Sequence, residues 1–336
     1  MFAYDEILNV HLEISSRCNA ACPECPRNMR GADAEDLGDF VVHDMTLDEV
    51  KSIFTVDFLK QLQLININGN FGDFVTCRDA LKIVQYFVES NKNIRIDIST
   101  NASGQPKIWP VLGAIENVQV HFRIDGLADT HSLYRQYTDF DLIMDNAQKF
   151  ITAGGDAVWT MIKFDHNQHQ IAECEALSKQ LGFSRFELID AGRNNTVVFD
   201  RDGNYLRSIG NPVGLSKDIN VIRKQKITGK QNPDFTDLYI PIQSQEIKCQ
   251  VQKPAQIYVQ ANGQVYPCCW IGLAPDTNTA RPGTDQTRAI AQNNNALEVG
   301  LEQAIGWFDQ LEKTWTIDTV AQGRHYTCNE ICGVKQ

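Results

Sequence analysis

LNVHLEISSRCNAACPECPRN, residues 8 to 28, decides how the rest of the chain is read. Leu8, Val10, Leu12 and Ile14 alternate with Asn9, His11 and Glu13, the period of two expected of a strand with one buried face. Directly after it, Cys18, Cys22 and Cys25 put three thiols into a single loop.

Working outward, strand-like and helix-like stretches alternate. Thr46 to Glu49 has the form of a capping box, and Leu47, Val50, Phe54 and Phe58 follow at helical spacing. Strands are expected at 62–68, 93–99, 118–125, 157–164 and 183–190. Helices are expected at 78–90, near 106–116, at 140–155 closed by Gly154, and at 167–182. With the first, that makes six strands separated by helices, the pattern of a parallel sheet with crossover helices. Chemistry in such sheets sits beyond the C-terminal ends of the strands. Residues 191–245 lose the pattern and carry the basic stretch IRKQKITGK at 222–230, which reads as a connector. Residues 246–336 are rich in cysteine and turns, with one convincing helix at 297–313, and read as a smaller second domain.

The 336 residues are 43% apolar and 22% charged, an ordinary globular composition. The 42 acidic and 31 basic residues give a net charge of −11, which disfavours nucleic acid and anionic membranes as partners. The N-terminus has no basic, apolar leader pattern and no run is long enough to span a bilayer, so a cytoplasmic protein is expected. Ten cysteines in that setting read as metal or redox residues rather than disulfides. Three cluster at 18 to 25, and five lie at 249, 268, 269, 328 and 332. Cys77 and Cys174 stand alone at helical positions and read as small buried side chains.

Three thiolates spaced C-x3-C-x2-C suit an iron–sulfur cluster and leave one of four irons open. A structural zinc site would want a fourth ligand, and His11, pointing down a strand, is poorly placed to be it. This spacing after the first strand of a parallel α/β sheet resembles the radical S-adenosylmethionine (radical SAM) enzymes, over roughly residues 5 to 190. The resemblance implies a partial (β/α)6 TIM-like barrel of parallel strands, followed by a small C-terminal cluster-binding α+β domain. It implies a [4Fe-4S] cluster on Cys18, Cys22 and Cys25, with S-adenosylmethionine on the open iron and reductive cleavage to a 5′-deoxyadenosyl radical that abstracts a hydrogen atom from substrate.

NGNFGDF at 68–74 looks like the family's Gly-rich turn at the SAM amino group, which implies cofactor-binding roles for Gly69, Asn70, Gly72 and Asp73. ISTNAS at 98–103 resembles the strand end beside the ribose and methionine, carried here by Ser99 and Asn101. In FRIDGLADTHSLYR at 122–135, Arg135 is the expected partner of the SAM carboxylate, since a guanidinium fork matches a carboxylate. His131 reads as a loop hydrogen-bonding residue, Asp125 as the cap of its turn, and His121, His166 and His169 as surface or turn residues. Two positions depart from the family. Glu24 stands where an aromatic usually precedes the third cysteine, and Arg123 stands where a small Ser is common.

KCQVQKPAQIYVQANGQVYPCCW at 248–270 reads as two short strands joined by an Asn-Gly turn. With Cys328 and Cys332 it resembles the twitch extension, a shortened SPASM domain, which implies an auxiliary [4Fe-4S] cluster. Cys249, Cys268, Cys328 and Cys332 make a full set of four with Cys269 spare, and a zinc ribbon on the same four is the competing reading. A closed cluster beside the site favours two-electron oxidation. The early cysteine motif leaves no room before it for a peptide-recognition domain, which favours a small polar substrate over a peptide or protein substrate of the SPASM-maturase type. A non-catalytic iron–sulfur or zinc protein is the alternative from another class. A low-potential donor such as flavodoxin or ferredoxin is the expected protein partner.

Overall fold

The computed structural model of the chain describes residues 1–29, 32–33, 40–190, 195–210, 246–273 and 283–334. Six parallel strands run in chain order: β1 Asn9–Leu12, β2 Leu64–Ile67, β3 Arg95–Thr100, β4 Val118–Arg123, β5 Asp156–Ile162 and β6 Arg185–Ile189. They lie side by side as β1-β2-β3-β4-β5-β6, the order that right-handed crossover helices produce. This is the expected α/β architecture, with every strand where the alternation placed it.

The helices follow local rules. Thr46 caps α1 (Leu47–Ile53) through the Glu49 N–H, and Glu49 returns the bond to the Thr46 N–H. The single helix expected from Leu47, Val50, Phe54 and Phe58 is broken at Thr55, which caps a new helix, α2 (Val56–Gln61), with its own side chain. α3 (Ala80–Ser90), α6 (Phe140–Thr152) and α7 (Ile171–Leu181) are the longer crossovers, and α4 (Trp109–Gly113) and α5 (His131–Tyr134) are short. Gly182 ends α7 at φ +86, a conformation that glycine adopts without a Cβ penalty.

One face of the sheet is apolar and packs on the helices through Val10, Leu12, Ile65, Ile67, Ile96, Ile98, Val118, Val120 and Phe122, all buried. The other face is polar. His11, Asn66, Asp97 and Gln119 stand side by side across β1 to β4, and Ser99 pairs with His121 one layer up. Arg123, Thr160 and Glu187 form the layer above that. Parallel sheets are usually apolar on both faces, so a polar one marks a place where solvent or a ligand is meant to stand. His121, expected on the surface or in a turn, in fact sits mid-strand on this inner face, against Thr160 Oγ1 and Glu187.

The C-terminal segment does not stand apart from this sheet. β9 (Gln256–Val259) pairs in parallel with β1, Val10 against Ile257 and Leu12 against Val259, and β10 (Val265–Tyr266) returns antiparallel to β9. The boundary drawn at 245 and 246 therefore cuts through one continuous eight-stranded sheet. The turn between β9 and β10 is the expected Asn-Gly hairpin, with Gly263 at φ +85.

Two sequence expectations are corrected here. The helix at 297–313 is three short ones, Ala296–Val299, Leu301–Ala304 and Phe308–Lys313, because Gly300 at φ +80 interrupts the first junction. Short helices also form at Cys269–Leu273 (α8), Thr284–Ile290 and Tyr326–Cys332, where no periodicity announced them. The connector is not featureless either, since β7 (Asn195–Phe199) and β8 (Tyr205–Gly210) make an antiparallel hairpin. The basic stretch at 222–230 lies outside the described residues. Among the described residues no helix is long and apolar enough to cross a membrane.

Candidate functional site

The C-terminal ends of the parallel strands converge on one cavity of about 440 Å³. Cys18, Cys22 and Cys25 line it from the loop after β1, Gly69, Asn70, Gly72 and Asp73 from the turn after β2, and Ser99 and Asn101 from the end of β3. Arg123 and Arg135 come from β4 and the segment after it. Every residue carried over for the first cluster and for S-adenosylmethionine is thus brought to one place. Glu24 lines the same cavity, as do Cys269 and the half-exposed Trp270 from the C-terminal segment.

Each side chain is fixed by a local cause. Arg135 lies against Asp125, its Nε 2.7 Å from Oδ2, and its Nη1 donates to Cys22 Sγ at 3.8 Å. Burial, the largest single influence, lowers the Arg135 pKa, but the Asp125 charge and hydrogen bond together with the nearby Cys22 and Tyr134 outweigh it and the pKa rises. Asp125 is wholly buried and also accepts from the Ile162 N–H at 2.7 Å. It is therefore an ion-pair anchor across β4 and β5 and not the cap of its own turn. Asn101 donates to Asn19 Oδ1 at 2.9 Å and stands 3.9 Å from Cys18 Sγ. Ser99 accepts from Arg123 Nη2 at 2.9 Å.

Asp73 has both oxygens engaged. Oδ1 accepts from Thr100 Oγ1 at 2.5 Å and the Val75 N–H at 3.1 Å, and Oδ2 accepts from the Asn101 N–H at 2.8 Å. Burial raises its pKa against these bonds. Asp73 thus ties the β2 turn to the end of β3 while lining the cavity.

Sequence reading missed the residue that organises that turn. Glu13, 1% exposed, accepts from the Phe71 and Gly72 N–H groups at 2.7 and 2.8 Å through Oε1, and from the Tyr258 hydroxyl at 2.8 Å through Oε2. It joins β1, the turn and β9. The glycines are needed for this approach. A Cβ on Gly69 would stand 2.3 Å from Glu13 Oε1, and one on Gly72 would stand 1.6 Å from the Ser15 carbonyl oxygen. The signal was an acidic residue on the inward face of the first strand. Asn70 closes the turn against the C-terminal segment, donating to the Cys269 carbonyl at 2.9 Å.

The β7–β8 hairpin was missed as well, and Asp202-Gly203-Asn204 at its tip was the available signal. It packs Val198 and Ile209 against Ala20, Cys22, Tyr134 and Phe164, with Cys18 and Cys25 at the edge of the same cluster. Arg201 donates to the Asn19 carbonyl at 2.9 Å, and Arg207 to the Leu133 carbonyl at 2.6 Å. The cysteine loop is thereby held from above.

His131 is wholly buried, accepting from the Asp125 N–H at 3.1 Å and meeting Thr138 Oγ1 at 3.1 Å, and burial lowers its pKa to about 4. It is the hydrogen-bonding residue the sequence suggested. His11 is buried edge-on to Tyr258 with Nε2 at the Asn68 carbonyl, away from the thiols. Cys77 and Cys174 are fully buried, as expected, although only Cys174 lies in a helix, and Cys77 is the extended residue that ends the 3-10 turn Phe74–Thr76.

The donor chemistry at the first loop fits a cluster. Burial raises the pKa of all three thiols, that of Cys25 to about 12, so loading would release protons. In the C-terminal group the Cys249 and Cys332 thiols hydrogen bond, which raises the pKa of the first and lowers that of the second to about 6. Cys268 and Cys328 feel one another and Cys332. Cys269 faces Glu13 and the cavity instead. Cys249, Cys268, Cys328 and Cys332 thus influence one another electrostatically. Among the described residues no three Cys, His, Asp or Glu side chains converge tightly enough to hold a single metal ion.

No protein-family model matches the chain, and no curated protein matches it. Solved structures do. Streptococcus suis SuiB bound to precursor peptide SuiA is 13% identical and superposes with a TM-score of 0.53, covering 98% of this chain and 76% of that one. SuiB bound to S-adenosylmethionine is 15% identical with a TM-score of 0.51, covering 96% and 77%. In a third SuiB structure, at a TM-score of 0.48, the match spans 61% of the SuiB chain. The chain therefore shares its fold with SuiB, one of whose structures holds S-adenosylmethionine.

Proposed function

We propose that the protein is a radical SAM enzyme that oxidises a polar substrate in the cytoplasm. The observation that carries this reading is the single cavity at the strand ends, where three thiols of one loop meet the 69–73 turn, Ser99, Asn101 and Arg135. In that reading Cys18, Cys22 and Cys25 hold a [4Fe-4S] cluster, and Cys249, Cys268, Cys328 and Cys332 hold an auxiliary one. The first cluster, with S-adenosylmethionine on it, would supply radical chemistry able to abstract a hydrogen atom from the substrate.

The chain's own residues do the rest. In that reading the 69–73 turn would hold the SAM amino group, with Asp73, itself held by Thr100 and Asn101, as the anion beside it. Arg135, paired with Asp125, would meet the SAM carboxylate with its guanidinium. Ser99 and Asn101 stand at the ribose side. The β7–β8 hairpin and the apolar cluster under it cover one side of the cysteine loop. The polar inner face, with His121, Arg123, Thr160 and Glu187, supports a substrate rich in hydrogen-bonding groups. A peptide substrate is the second reading, favoured by the superposition on SuiB with its bound precursor peptide. A low-potential flavodoxin or ferredoxin would deliver the electron.

The test is anaerobic reconstitution with iron and sulfide, iron counting, and a dithionite-dependent assay for 5′-deoxyadenosine, on wild type and on Cys18→Ala/Cys22→Ala/Cys25→Ala. The expected loads are about eight and about four irons per chain, with 5′-deoxyadenosine from wild type alone. Zinc in place of iron, or no SAM cleavage by the fully loaded protein, would mean a non-catalytic metal protein. Loss of two hydrogens from a candidate peptide, read by mass, would select the peptide reading.

A further inference from the structure

Two N–H groups without acceptors stand beside the C-terminal cysteines. Trp315, on the short turn Thr314–Thr316, buries its indole nitrogen with no hydrogen bond of normal geometry. Asn329, 1% exposed between Cys328 and Cys332 on the last helix, buries Nδ2 in the same condition. A buried donor left unsatisfied costs about 1–3 kcal/mol, so two in one place call for a missing acceptor.

Arg324 aims them both. It is 3% exposed and donates from Nε to Asn329 Oδ1 at 2.7 Å, which leaves the amide nitrogen pointing the other way. Its Nη1 donates to the Trp315 carbonyl and, at 2.9 Å, to that of Ile317, fixing the turn that carries the indole. The indole lies against the Cys328 thiol.

We infer that Trp315 and Asn329, held by Arg324, donate hydrogen bonds to the sulfurs of a cluster on Cys249, Cys268, Cys328 and Cys332 and raise its reduction potential. The inference rests on the auxiliary cluster proposed above. Reduction adds a negative charge, and N–H donors and a buried cation around the sulfurs stabilise the more negative state. A potential raised in this way suits a cluster that takes up electrons rather than one that supplies them.

The C-terminal cluster is isolated in the Cys18→Ala/Cys22→Ala/Cys25→Ala chain, whose iron is counted before its midpoint potential is measured by EPR-monitored redox titration. In that background Trp315→Phe keeps a ring and deletes the N–H. Asn329→Asp keeps the acceptor for Arg324 and replaces the donor with an oxygen. Each lowers the midpoint potential at an unchanged load of about four irons, and the double variant lowers it further. Trp307→Phe, whose indole already donates to the Val265 carbonyl at 3.3 Å, leaves the potential in place. Should one variant lose iron, the other lies on a different element and carries the same test. Potentials unmoved at full load overturn the inference and leave the second cluster standing. A parent chain that takes up no iron overturns both, and the count alone tells the two failures apart.

Discussion

Cys18, Cys22 and Cys25 share one loop, whereas Cys249, Cys268, Cys328 and Cys332 come from three places in the C-terminal segment. The first group needs only its loop and the strand end that launches it. The second is assembled by pairing of residues far apart: Ile247 bridges Gly333, the Lys248 N–H donates to the Cys332 carbonyl at 2.9 Å, and the Val334 N–H donates to the Glu246 carbonyl at 3.0 Å. A local group leaves room around itself, here a cavity. A group collected from several elements closes on itself and keeps its sulfurs for one another. The comparison teaches that a local group of thiols can be read from spacing, while one gathered from several elements must be read from packing.

The sharpest way to break this contrast is to remove the second group alone. Cys328→Ala/Cys332→Ala is expected to halve the iron, from about eight to about four per chain, while 5′-deoxyadenosine still forms. Loss of that product together with the iron would show that the two groups depend on one another.

A large effect is also expected where the first group meets its support. Arg135→Met leaves the wholly buried Asp125 without its cation and should lower stability by about 3–5 kcal/mol in urea denaturation. Asp125→Asn in the same chain should recover part of the loss, because the two residues are coupled. An Arg135→Met protein as stable as wild type would mean that the loop does not lean on this pair.

Acid should weaken the barrel side through its buried histidines. Burial lowers the pKa of His131 and of His11 to about 4, so the unfolded chain takes up protons first as pH falls below about 6.5. Their contribution is complete above that pH and is lost towards pH 4, at roughly 3 kcal/mol each in the limit. His131→Gln should flatten the decline seen in denaturation between pH 7 and 4.5, and an unchanged slope would remove His131 from the account.

The smallest effect concerns the link between the two regions. Asn70→Ala deletes the bond to the Cys269 carbonyl and should cost about 1 kcal/mol. A larger loss would mean that the turn and the C-terminal segment hold each other more firmly than one hydrogen bond allows.

The barrel strands and the first cysteine loop were legible because both are local patterns, a period of two and a spacing of thiols. Glu13 was not, since an acidic residue in a strand reads as facing water until the concave side of the sheet is known to be the working side. His121 misled for the same reason. The place of β9 could not be read either. QIYV states that it is a strand, but nothing within it says that its neighbour is β1. The Cys268 and Cys269 pair was ambiguous in sequence because adjacent residues at a helix start point in different directions, and the fold puts Cys269 on the cavity lining. In the C-terminal helices Gly300 marked a break that the apolar spacing of 297–313 concealed.

The pairing of β9 with β1 also bears on how the chain reaches its fold. Tyr258 and Glu13 meet across a sequence separation of 245 residues, so the strand made first waits for a partner made near the end. Contacts of such range slow folding, because a long loop must close before they contribute. During synthesis the β1 edge would carry unpaired backbone groups beside a loop of three thiols, the kind of edge on which aggregation and strand exchange begin. A chain truncated before residue 256 should therefore be insoluble for want of an edge, with every residue of the first cysteine loop still in place.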